Sequence, residues 1–250
     1  MSARVAKNGN PDPTHYDGQD LEALADLPNY TGWILERFRP FLRGRVIEVG
    51  AGLGNVSRRY VDQVESALLV EPAANLYKVL QEQLANRSHV TCTNALLGDV
   101  PAELLQPKFD AALMVNVLEH IDDDVAVLKQ VREVVKPGGY LLIFVPALPA
   151  LYGSLDALVH HCRRYRRSEL RIKMVQAGFR IEECSYFDLL GMAPWLVAGR
   201  VLRQRKFDAR GATWYDRLGV PVTRALESRL PVPFGKSLIT IAKVPQEDGR

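Results

Sequence analysis

The sequence has little cysteine and no long apolar run. Its three cysteines, Cys92, Cys162 and Cys184, are widely spaced and odd in number, which excludes a disulfide framework and a Cys-x-x-Cys metal pair. A reduced, cytoplasmic compartment is therefore expected. The most apolar stretches, 140–152 and 189–199, contain proline and are shorter than the roughly 20 residues that span a bilayer. The first 20 residues are polar, so we expect a flexible tail, with neither a signal peptide nor a transmembrane helix.

Charge of neither sign dominates the whole chain, whose formal net charge is +3, but its two parts differ. Residues 1–159 contain 14 Lys and Arg against 20 Asp and Glu, whereas residues 160–250 contain 18 against 9. This asymmetry indicates an anionic partner for the basic part. Nucleic acid is not expected, because no nucleic-acid-binding module and no interleaved aromatic residues accompany the basic segments.

Apolar, β-branched runs alternate with helical patterns through the first 145 residues, which favours βαβ units and a parallel sheet. Strands are predicted over 45–49, 66–70, 89–93, 109–115, 139–145, 179–187 and 237–244, and helices over 29–42, 54–62, 73–85, 122–135 and 168–177. A tight turn is predicted at Lys136–Gly139, because Pro and Gly stop a helix. The predicted fold class is α/β, with a seven-stranded, mostly parallel sheet and helices on both faces.

The last two predicted strands are too far apart in the sequence for a hairpin, since about 50 residues separate them. Apolar residues between them share one helical face, so a helical cap is expected as an insertion before the last strand. Four parts follow from this pattern: a tail and lid at 1–28, a core at 29–187, a helical substrate cap at 188–235, and a final antiparallel strand with a C-terminal tail at 236–250.

A glycine-rich turn follows the first predicted strand. Three glycines would let a ligand approach the backbone at the start of a predicted helix: Gly50, Gly52 and Gly54. The pattern is G-x-G-x-G, and Asn55 stands where a dinucleotide fingerprint has glycine, which disfavours a pyrophosphate. Glu48 precedes the turn and suits an ammonium group. Glu71 ends the second strand, where a carboxylate can accept both hydroxyls of a ribose; the alternative is a solvated acid.

The motifs EVGAGLGN, LLVEP, FDAALMVNVLEHI and KPGGYLLIFVP, in this order and spacing, resemble those of the class I S-adenosylmethionine-dependent methyltransferases. The NY and WI pairs before the glycine loop, and GSLD with H-RRY after the fifth strand, are similar to motifs of a broad bacterial, type 11/12-like branch of this family. The resemblance covers roughly 29–187 and, with the last strand, most of the chain. It implies a Rossmann-like fold and S-adenosylmethionine as the cofactor.

The resemblance also implies roles for matching residues. The three glycines would face the methionine and ribose parts of the cofactor, with Glu48 near the ammonium group and Glu71 on the ribose hydroxyls. Asn94 stands where many relatives have an aspartate and would bind the adenine amine. Asn116 would border the methionine moiety, or it is a turn residue that caps its loop.

Two aromatic residues precede the glycine loop. Tyr30 and Trp33 would form part of a lid over the cofactor, where an aromatic ring can stabilise the sulfonium. The alternative places Trp33 on the apolar face of the first helix together with Ile34, Phe38 and Phe41.

Candidate catalytic residues follow the fifth strand, because ligands of open α/β sheets bind beyond the carboxyl ends of the strands. His161 matches the family's histidine before RRY and is the first candidate for a general base or an acceptor contact. Asp156 would orient it, and Tyr165 and His120 are further candidates. In the alternative, His161 and Tyr165 only fix the loop through hydrogen bonds, and His120 is a helix-start residue.

These observations predict a methyltransferase that methylates an O, N or C atom of a small molecule, either anionic or lipid-linked. The alternatives are an NAD(P)-dependent oxidoreductase and a catalytically silent cofactor-binding or scaffold subunit. The basic runs at 160–180 and 200–210 would face an anionic acceptor, an anionic membrane surface contacted peripherally, or only solvent. A monomer or homodimer is expected. No metal is expected, because His160, His161 and Cys162 are adjacent and not at zinc spacing.

Overall fold

A single seven-stranded sheet organises the computed structural model, which describes residues 14–16, 27–229 and 232–246. The strands are β1 (Arg45–Val49), β2 (Ser66–Val70), β3 (Val90–Thr93), β4 (Phe109–Val115), β5 (Val135–Pro146), β6 (Arg180–Phe187) and β7 (Ser237–Lys243). Their order across the sheet is β3-β2-β1-β4-β5-β7-β6. β1 to β5 pair in parallel, and β7 runs antiparallel to both β5 and β6. The predicted mostly parallel sheet is confirmed.

The strand order reverses between β1 and β4, which lie side by side although β2 and β3 separate them in the chain. In open α/β sheets, ligands bind beyond the carboxyl ends of the strands at such a reversal. A ligand-binding site is therefore expected at the loops that leave β1, β2, β4 and β5 at this edge. Most of the predicted site residues lie on these loops.

Helices cover both faces of the sheet. They are α1 (Pro28–Phe38), α2 (Ala74–Leu84), α3 (Asp124–Val134), α4 (Ser154–Leu158), α5 (Arg167–Gln176), α6 (Met192–Leu196), α7 (Ala209–Trp214) and α8 (Val220–Glu227). The spacing of Leu128, Val131 and Val134 gives α3 one buried face. Asp123 begins that helix by accepting a 3.0 Å hydrogen bond from the backbone N–H of Ala126.

The core consists of two apolar layers, one on each face of the sheet. Successive residues of β4 point to opposite faces, so Leu113 joins the layer under α1, α2 and α8, and Met114 joins the layer under α3 and α5. Trp33 and Phe38 of α1 are buried in the first layer. Each fully buried large side chain of this kind contributes roughly 1.5–3 kcal/mol.

The helix predicted over 54–62 is wrong, because the structure has two 3₁₀ turns there, Ser57–Arg59 and Val61–Gln63. Residues three apart in a 3₁₀ turn project in the same direction. This spacing lets Ser57 and Tyr60 both reach the buried carboxylate of Glu48.

The tight turn predicted at Lys136–Gly139 is also wrong, because β5 begins at Val135, directly after α3. The N–H of Gly138 donates to the carbonyl of Val244 at 2.8 Å, and the N–H of Val244 donates to Gly139 at 2.9 Å. These residues therefore pair with the chain after β7 and not with one another.

The segment between β6 and β7 is helical, and we call residues 188–229 the inserted segment. It contains α6, a π-helical turn at Val197–Val201, α7, a second π-helical turn at Tyr215–Gly219, and α8. Val220 and Thr223 of α8 are buried, while many apolar residues of the inserted segment are exposed. Within the described ranges, no helix has the length and apolar character needed to cross a bilayer.

Candidate active site

The loop after β1 turns back over the end of β2. Gly50 and Gly52 have φ angles of +73° and +55°, which residues with a Cβ rarely adopt. A Cβ on Gly50 would also lie 2.5 Å from Cγ2 of Val117. The N–H of Gly52 donates to Oε2 of Glu71 at 2.8 Å, and Oε1 of Glu71 accepts from the N–H of Ala73 at 2.9 Å. Glu71 thus holds the glycine loop against the start of α2.

Glu71 is the predicted ribose ligand, and both of its oxygens already have backbone partners. Burial raises the pKa of its carboxyl group above the ordinary value, and the hydrogen bonds from Ala73 and Gly52 offset only part of this effect. Gly54 closes the loop by donating a 2.9 Å hydrogen bond to the carbonyl of Ala51. The ribose role of Glu71 stays a prediction.

Glu48 lies below the loop and is buried. Its Oε2 accepts hydrogen bonds from Oγ of Ser57 at 2.6 Å and from the hydroxyl of Tyr60 at 3.0 Å. Burial raises the pKa of Glu48 to about 7, although these two hydrogen bonds lower it. The predicted contact with the cofactor's ammonium group stays a prediction, and the structure gives this carboxylate two other partners.

Two asparagines follow β3 and β4, whose carboxyl ends lie at the same edge of the sheet. Nδ2 of Asn94 donates to the carbonyls of Glu71 and Pro72, each at 2.9 Å, and these bonds join the ends of β2 and β3. They leave its amide oxygen as the group that could accept from an adenine amine. Asn116 follows β4 with a φ of +53°, and its N–H donates to the carbonyl of Phe144 at 2.8 Å. Asparagine tolerates this left-handed conformation better than most residues.

Trp33 is a core residue, as the alternative interpretation of the sequence had it. Its exposed fraction is 4%, and its ring centroid lies 3.7 Å from that of Phe187. Tyr30 meets Trp33, Phe144 and Phe187 edge-on. Nζ of Lys236 lies 4.5 Å from the centre of the Tyr30 ring, so this ring already has a cation as a partner.

Asp216 of the inserted segment binds the first turn of α1. Its Oδ1 accepts from the N–H of Tyr30 at 2.8 Å, and its Oδ2 accepts from the N–H of Asn29 at 3.2 Å. The side-chain amide of Asn29 donates to the same carboxylate at 3.1 Å. Asn29 and Tyr30 therefore attach the inserted segment to the core, a role that the sequence alone did not suggest.

His161 and Asp156 form a hydrogen-bonded pair in the loop after β5. Nδ1 of His161 lies 2.9 Å from Oδ1 of Asp156, which also accepts from Nε of Arg164 at 2.7 Å. Burial by itself raises the pKa of Asp156, but the hydrogen bond from His161 and the charge of Arg164 hold it below the ordinary value. An ionised carboxylate accepts hydrogen bonds only, so Nδ1 of His161 is the donor. Nε2 is then the basic nitrogen of the imidazole.

Tyr165 lies in a buried network on the other side of the loop. Its hydroxyl is 2.9 Å from Oδ2 of Asp124 and 3.1 Å from the carbonyl of Leu118. Asp124 also accepts from Arg163 at 3.0 Å and from Lys173 at 2.8 Å. Burial, and then the charge of Asp124, raise the pKa of Tyr165 far above the ordinary value. These contacts fix the loop, and a catalytic role for Tyr165 stays a prediction.

Glu119 and His120 face the same pair from the turn after β4. Oε1 of Glu119 is 3.7 Å from Nε2 of His161, and burial raises the pKa of this carboxyl group to about 7 although the charge of His161 lowers it. The rings of His120 and His161 meet edge-on with centroids 4.9 Å apart. Burial, and then the charge of His161, lower the pKa of His120 to about 3. His120 is therefore neutral at pH 7.

Three residues of this site have no assigned role in the sequence interpretation: Glu119, Arg164 and Asp216. Glu119 could have been found, because it stands beside His120 in the motif that follows β4. Arg164 is part of the basic run, yet its guanidinium is buried and donates to Asp156 and to the carbonyl of Ala147 at 3.0 Å. No sequence pattern predicts a role for Asp216, because only the fold brings this residue next to α1.

The chain matches a known protein family over most of its length. The model of a methyltransferase domain family matches residues 16–184, which is more than half of the chain. The chain belongs to the class I S-adenosylmethionine-dependent methyltransferases. The family that the motifs resemble is thereby confirmed, and S-adenosylmethionine is the cofactor of this family.

Individual relatives of this methyltransferase are distant. It is 27% identical over 183 residues to the ubiquinone biosynthesis O-methyltransferase of Xanthomonas axonopodis pv. citri, covering 68% of this chain and 76% of that protein. It is 30% identical over 105 residues to the enzyme of the same name from Xylella fastidiosa, covering 42% of each. The chain spans less than half the length of the first curated relatives that it matches.

A solved structure with the same fold is phosphoethanolamine N-methyltransferase 2 of Haemonchus contortus in complex with phosphomonomethylethanolamine and S-adenosylhomocysteine. The TM-score is 0.59 at 18% identity, with 87% of this chain and 53% of that chain covered. At 18% identity, this similarity shows that the two proteins share a fold.

The residues of this methyltransferase fit S-adenosylmethionine. Glu71 offers two carboxylate oxygens at the end of β2, and the N–H of Gly52 lies 2.8 Å from one of them, Oε2. Asn94 keeps an amide oxygen at the end of β3, and Asn116 presents its backbone at the end of β4. This donor set suits two hydroxyls, an amine and a cationic centre. The glycine loop is followed by 3₁₀ turns and not by the α-helix N-terminus that a pyrophosphate prefers.

Proposed function

We propose that the protein transfers the methyl group of S-adenosylmethionine to an O, N or C atom of a small-molecule acceptor that is anionic or lipid-linked. The observation that carries this proposal is the hydrogen bond between Asp156 and His161. It places an oriented imidazole at the same edge of the sheet as the glycine loop and Glu71. The acceptor would then lie beyond β4 and β5, next to the cofactor.

S-adenosylmethionine, when bound, supplies a methyl group that its sulfonium makes electrophilic. The protein's own residues then have three tasks: to hold the donor, to align the acceptor and to receive a proton. Glu71 would accept the ribose hydroxyls, Asn94 the adenine amine, and Asn116 would border the methionine part. Glu71 must share or exchange its bond from Gly52 to do so, which couples the glycine loop to cofactor binding.

The proton of a hydroxyl or ammonium acceptor would pass to Nε2 of His161. Asp156 holds Nδ1 at 2.9 Å, so the ring keeps one tautomer and one orientation, and the charge of the imidazolium that forms is stabilised. Arg164 at 2.7 Å keeps Asp156 ionised and in place. Positioned general bases of this kind contribute about 10²–10⁴-fold to rate.

The inserted segment would cover the acceptor as a substrate cap. Nε1 of Trp195 donates to Oδ2 of Asp156 at 3.4 Å, and Oγ of Ser154 donates to the carbonyl of Gly199 at 3.1 Å. The segment thus contacts the loop that contains His161. Asp216 holds the far end of the segment to α1.

The surface of the inserted segment supports an anionic or lipid-linked acceptor. Five of its exposed cations lie close together in the sequence: Arg200, Arg203, Arg205, Lys206 and Arg210. Exposed apolar side chains lie among them, including Val201, Leu202, Trp214 and Leu218. Cations beside an exposed apolar face suit a peripheral contact with an anionic membrane, which would give access to a lipid-linked acceptor. Arg163 and Arg164 of the earlier basic run are instead paired with Asp124 and Asp156.

The names of two comparison proteins are consistent with these acceptor classes. The Xanthomonas relative is named for ubiquinone biosynthesis, and the Haemonchus structure contains a phosphorylated amine. We take from them only that a lipid-linked and an anionic acceptor are both worth testing.

The test is methyl transfer from labelled S-adenosylmethionine by the full chain, supplied separately with a lipid extract and with an aqueous metabolite extract. Label in the organic phase supports a lipid-linked acceptor, and label in an anion-exchange fraction supports a soluble anion. Calorimetric titrations with S-adenosylmethionine and with NADH accompany the assay. Binding of NADH without S-adenosylmethionine would contradict the proposal, and binding of the cofactor without transfer to either extract would favour a silent subunit.

A further inference from the structure

Three side chains that can bind a metal meet between the turn after β4 and the loop after α4. The ligand atoms of Glu119, His120 and His161 all lie within 4.8 Å of one another. The N–H of Cys162 donates to the carbonyl of Glu119 at 2.8 Å and so fastens the two loops together. The fold therefore unites donors that lie about 40 residues apart in the sequence.

Among the described residues, no cation lies at hydrogen-bond distance from the carboxylate of Glu119. Its side chain is fully buried, and within the part of the chain that the structure describes, neither carboxylate oxygen accepts a hydrogen bond. Nε2 of His161 lies 3.7 Å from Oε1 of Glu119. A buried carboxylate without partners is costly unless it is paired or coordinates a metal ion.

The two histidines are prepared as ligands. Asp156 accepts a hydrogen bond from Nδ1–H of His161. The other ring nitrogen, Nε2, then carries the lone pair, and it lies 3.7 Å from Oε1 of Glu119. A carboxylate behind a histidine is the usual second partner of a metal-binding imidazole. The ring of His120 meets that of His161 edge-on, with centroids 4.9 Å apart, and the ligand atoms of both histidines lie within 4.8 Å of one another.

We propose that Glu119, His120 and His161 bind a first-row divalent transition-metal ion such as Zn²⁺. Two imidazole nitrogens and one carboxylate oxygen suit Zn²⁺ or Fe²⁺, whereas Mg²⁺ and Ca²⁺ prefer oxygen ligands. Three protein ligands leave a coordination position for water or another oxygen ligand. This site departs from the expectation of no metal, which rested on spacing along the chain.

The ion and the general base would use the same atom, Nε2 of His161. We therefore expect stoichiometric Zn²⁺ to inhibit methyl transfer and a chelator to restore it. This consequence rests on the proposed function. Binding of the ion is independent of the proposed function, because it can be measured without cofactor or acceptor.

The experiment is a calorimetric titration of the chelator-treated full chain with ZnCl₂, paired with the visible spectrum of the Co²⁺ form. We expect one ion per chain and a spectrum of nitrogen- and oxygen-bound Co²⁺. Glu119→Gln and His161→Gln should each weaken binding by at least the roughly 10–100-fold that loss of a supporting residue costs. Excess Mg²⁺ should not compete.

Two neighbouring residues supply the controls. His160→Asn and Cys162→Ser remove an exposed imidazole and an exposed thiol beside the site, and both should bind Zn²⁺ as the unchanged protein does. Far-ultraviolet circular dichroism and S-adenosylhomocysteine affinity show whether each variant is folded. If Glu119→Gln fails to fold, the Co²⁺ spectrum of the unchanged protein still reports the ligands. No stoichiometric binding, full binding by folded Glu119→Gln, or a thiolate spectrum lost in Cys162→Ser would overturn the proposal.

Discussion

Oδ1 of Asp216 accepts a 2.8 Å hydrogen bond from the N–H of Tyr30, which joins the inserted segment to the first helix of the core. The first N–H groups of a helix have no partner within the helix, and Leu27, at the N-cap of α1, provides no side-chain cap. Asp216 supplies the missing acceptor from 186 residues away. One carboxylate thereby begins α1 and fixes the position of the inserted segment.

Asp216→Ala should destabilise the protein by about 2 kcal/mol, because it leaves the part-buried N–H groups of Asn29 and Tyr30 without their acceptor. Urea unfolding measures this loss, and trypsin should cleave the inserted segment faster. Asp208→Ala is the matched control, because Asp208 caps only α7, within its own segment. Equal cleavage rates in the two variants would contradict an anchoring role for Asp216.

Glu71→Gln should weaken S-adenosylmethionine binding by about 10–100-fold. The physical reason is the loss of charge-assisted hydrogen bonds, each of about 1.5–3 kcal/mol. Isothermal titration calorimetry measures the affinity. Glu82→Gln removes an exposed acid from α2 and should leave the affinity unchanged. Unchanged affinity in Glu71→Gln would place the ribose site elsewhere.

His161→Ala should lower kcat by about 10²–10⁴-fold while changing cofactor affinity by less than about twofold. The imidazole would act on the acceptor's proton and not on the donor. His160→Asn, next to it in the sequence, should retain full activity. The comparison requires an acceptor from the extract assay, and a fully active His161→Ala would exclude the general-base role.

Glu48 should make stability fall as pH rises. Its pKa is raised to about 7 in the folded protein, so between the unfolded value of 4.5 and 7 the folded state holds a proton that the unfolded state has lost. The free energy of unfolding then decreases by up to about 1.4 kcal/mol per pH unit from this group. Glu48→Gln should flatten the profile between pH 5 and 7 in urea unfolding. Parallel profiles for the two proteins would show that Glu48 ionises normally.

Trp214→Ser should weaken binding to vesicles of anionic phospholipid by roughly tenfold or more, because the exposed indole would enter the lipid surface. Ile172→Ser is the matched control, since Ile172 of α5 has an exposed fraction of 59% against 64% for Trp214 but lies outside the inserted segment. Vesicle sedimentation measures both. If the protein binds neutral and anionic vesicles equally, or binds neither, the membrane contact is excluded. A soluble anion is then the acceptor class that the proposal retains.

The sheet could be predicted because its strands are encoded locally. Runs such as RVIEV and FDAALMV are apolar enough to be buried on both faces, and their order with the intervening helices is that of βαβ units. The glycine loop and Glu71 could be predicted for the same reason, since each stands directly after such a strand. The 3₁₀ turns that replace the helix expected over 54–62 could not be predicted. They depend on the hydrogen bond from Ser57 to the buried carboxylate of Glu48, which overrides the local helical preference.

Sequence alone determined the α/β fold, the family and the positions of the loops that we propose bind the cofactor, because these depend on local apolar patterns and on motifs beside them. Tertiary structure alone decided which charges are paired and which are exposed. It buried Arg164 against Asp156 and brought Asp216 to the start of α1. It also placed Glu119, which has no hydrogen-bond partner among the described residues, beside His161. Such contacts join residues far apart in the chain, and their energies depend on burial, which only packing fixes.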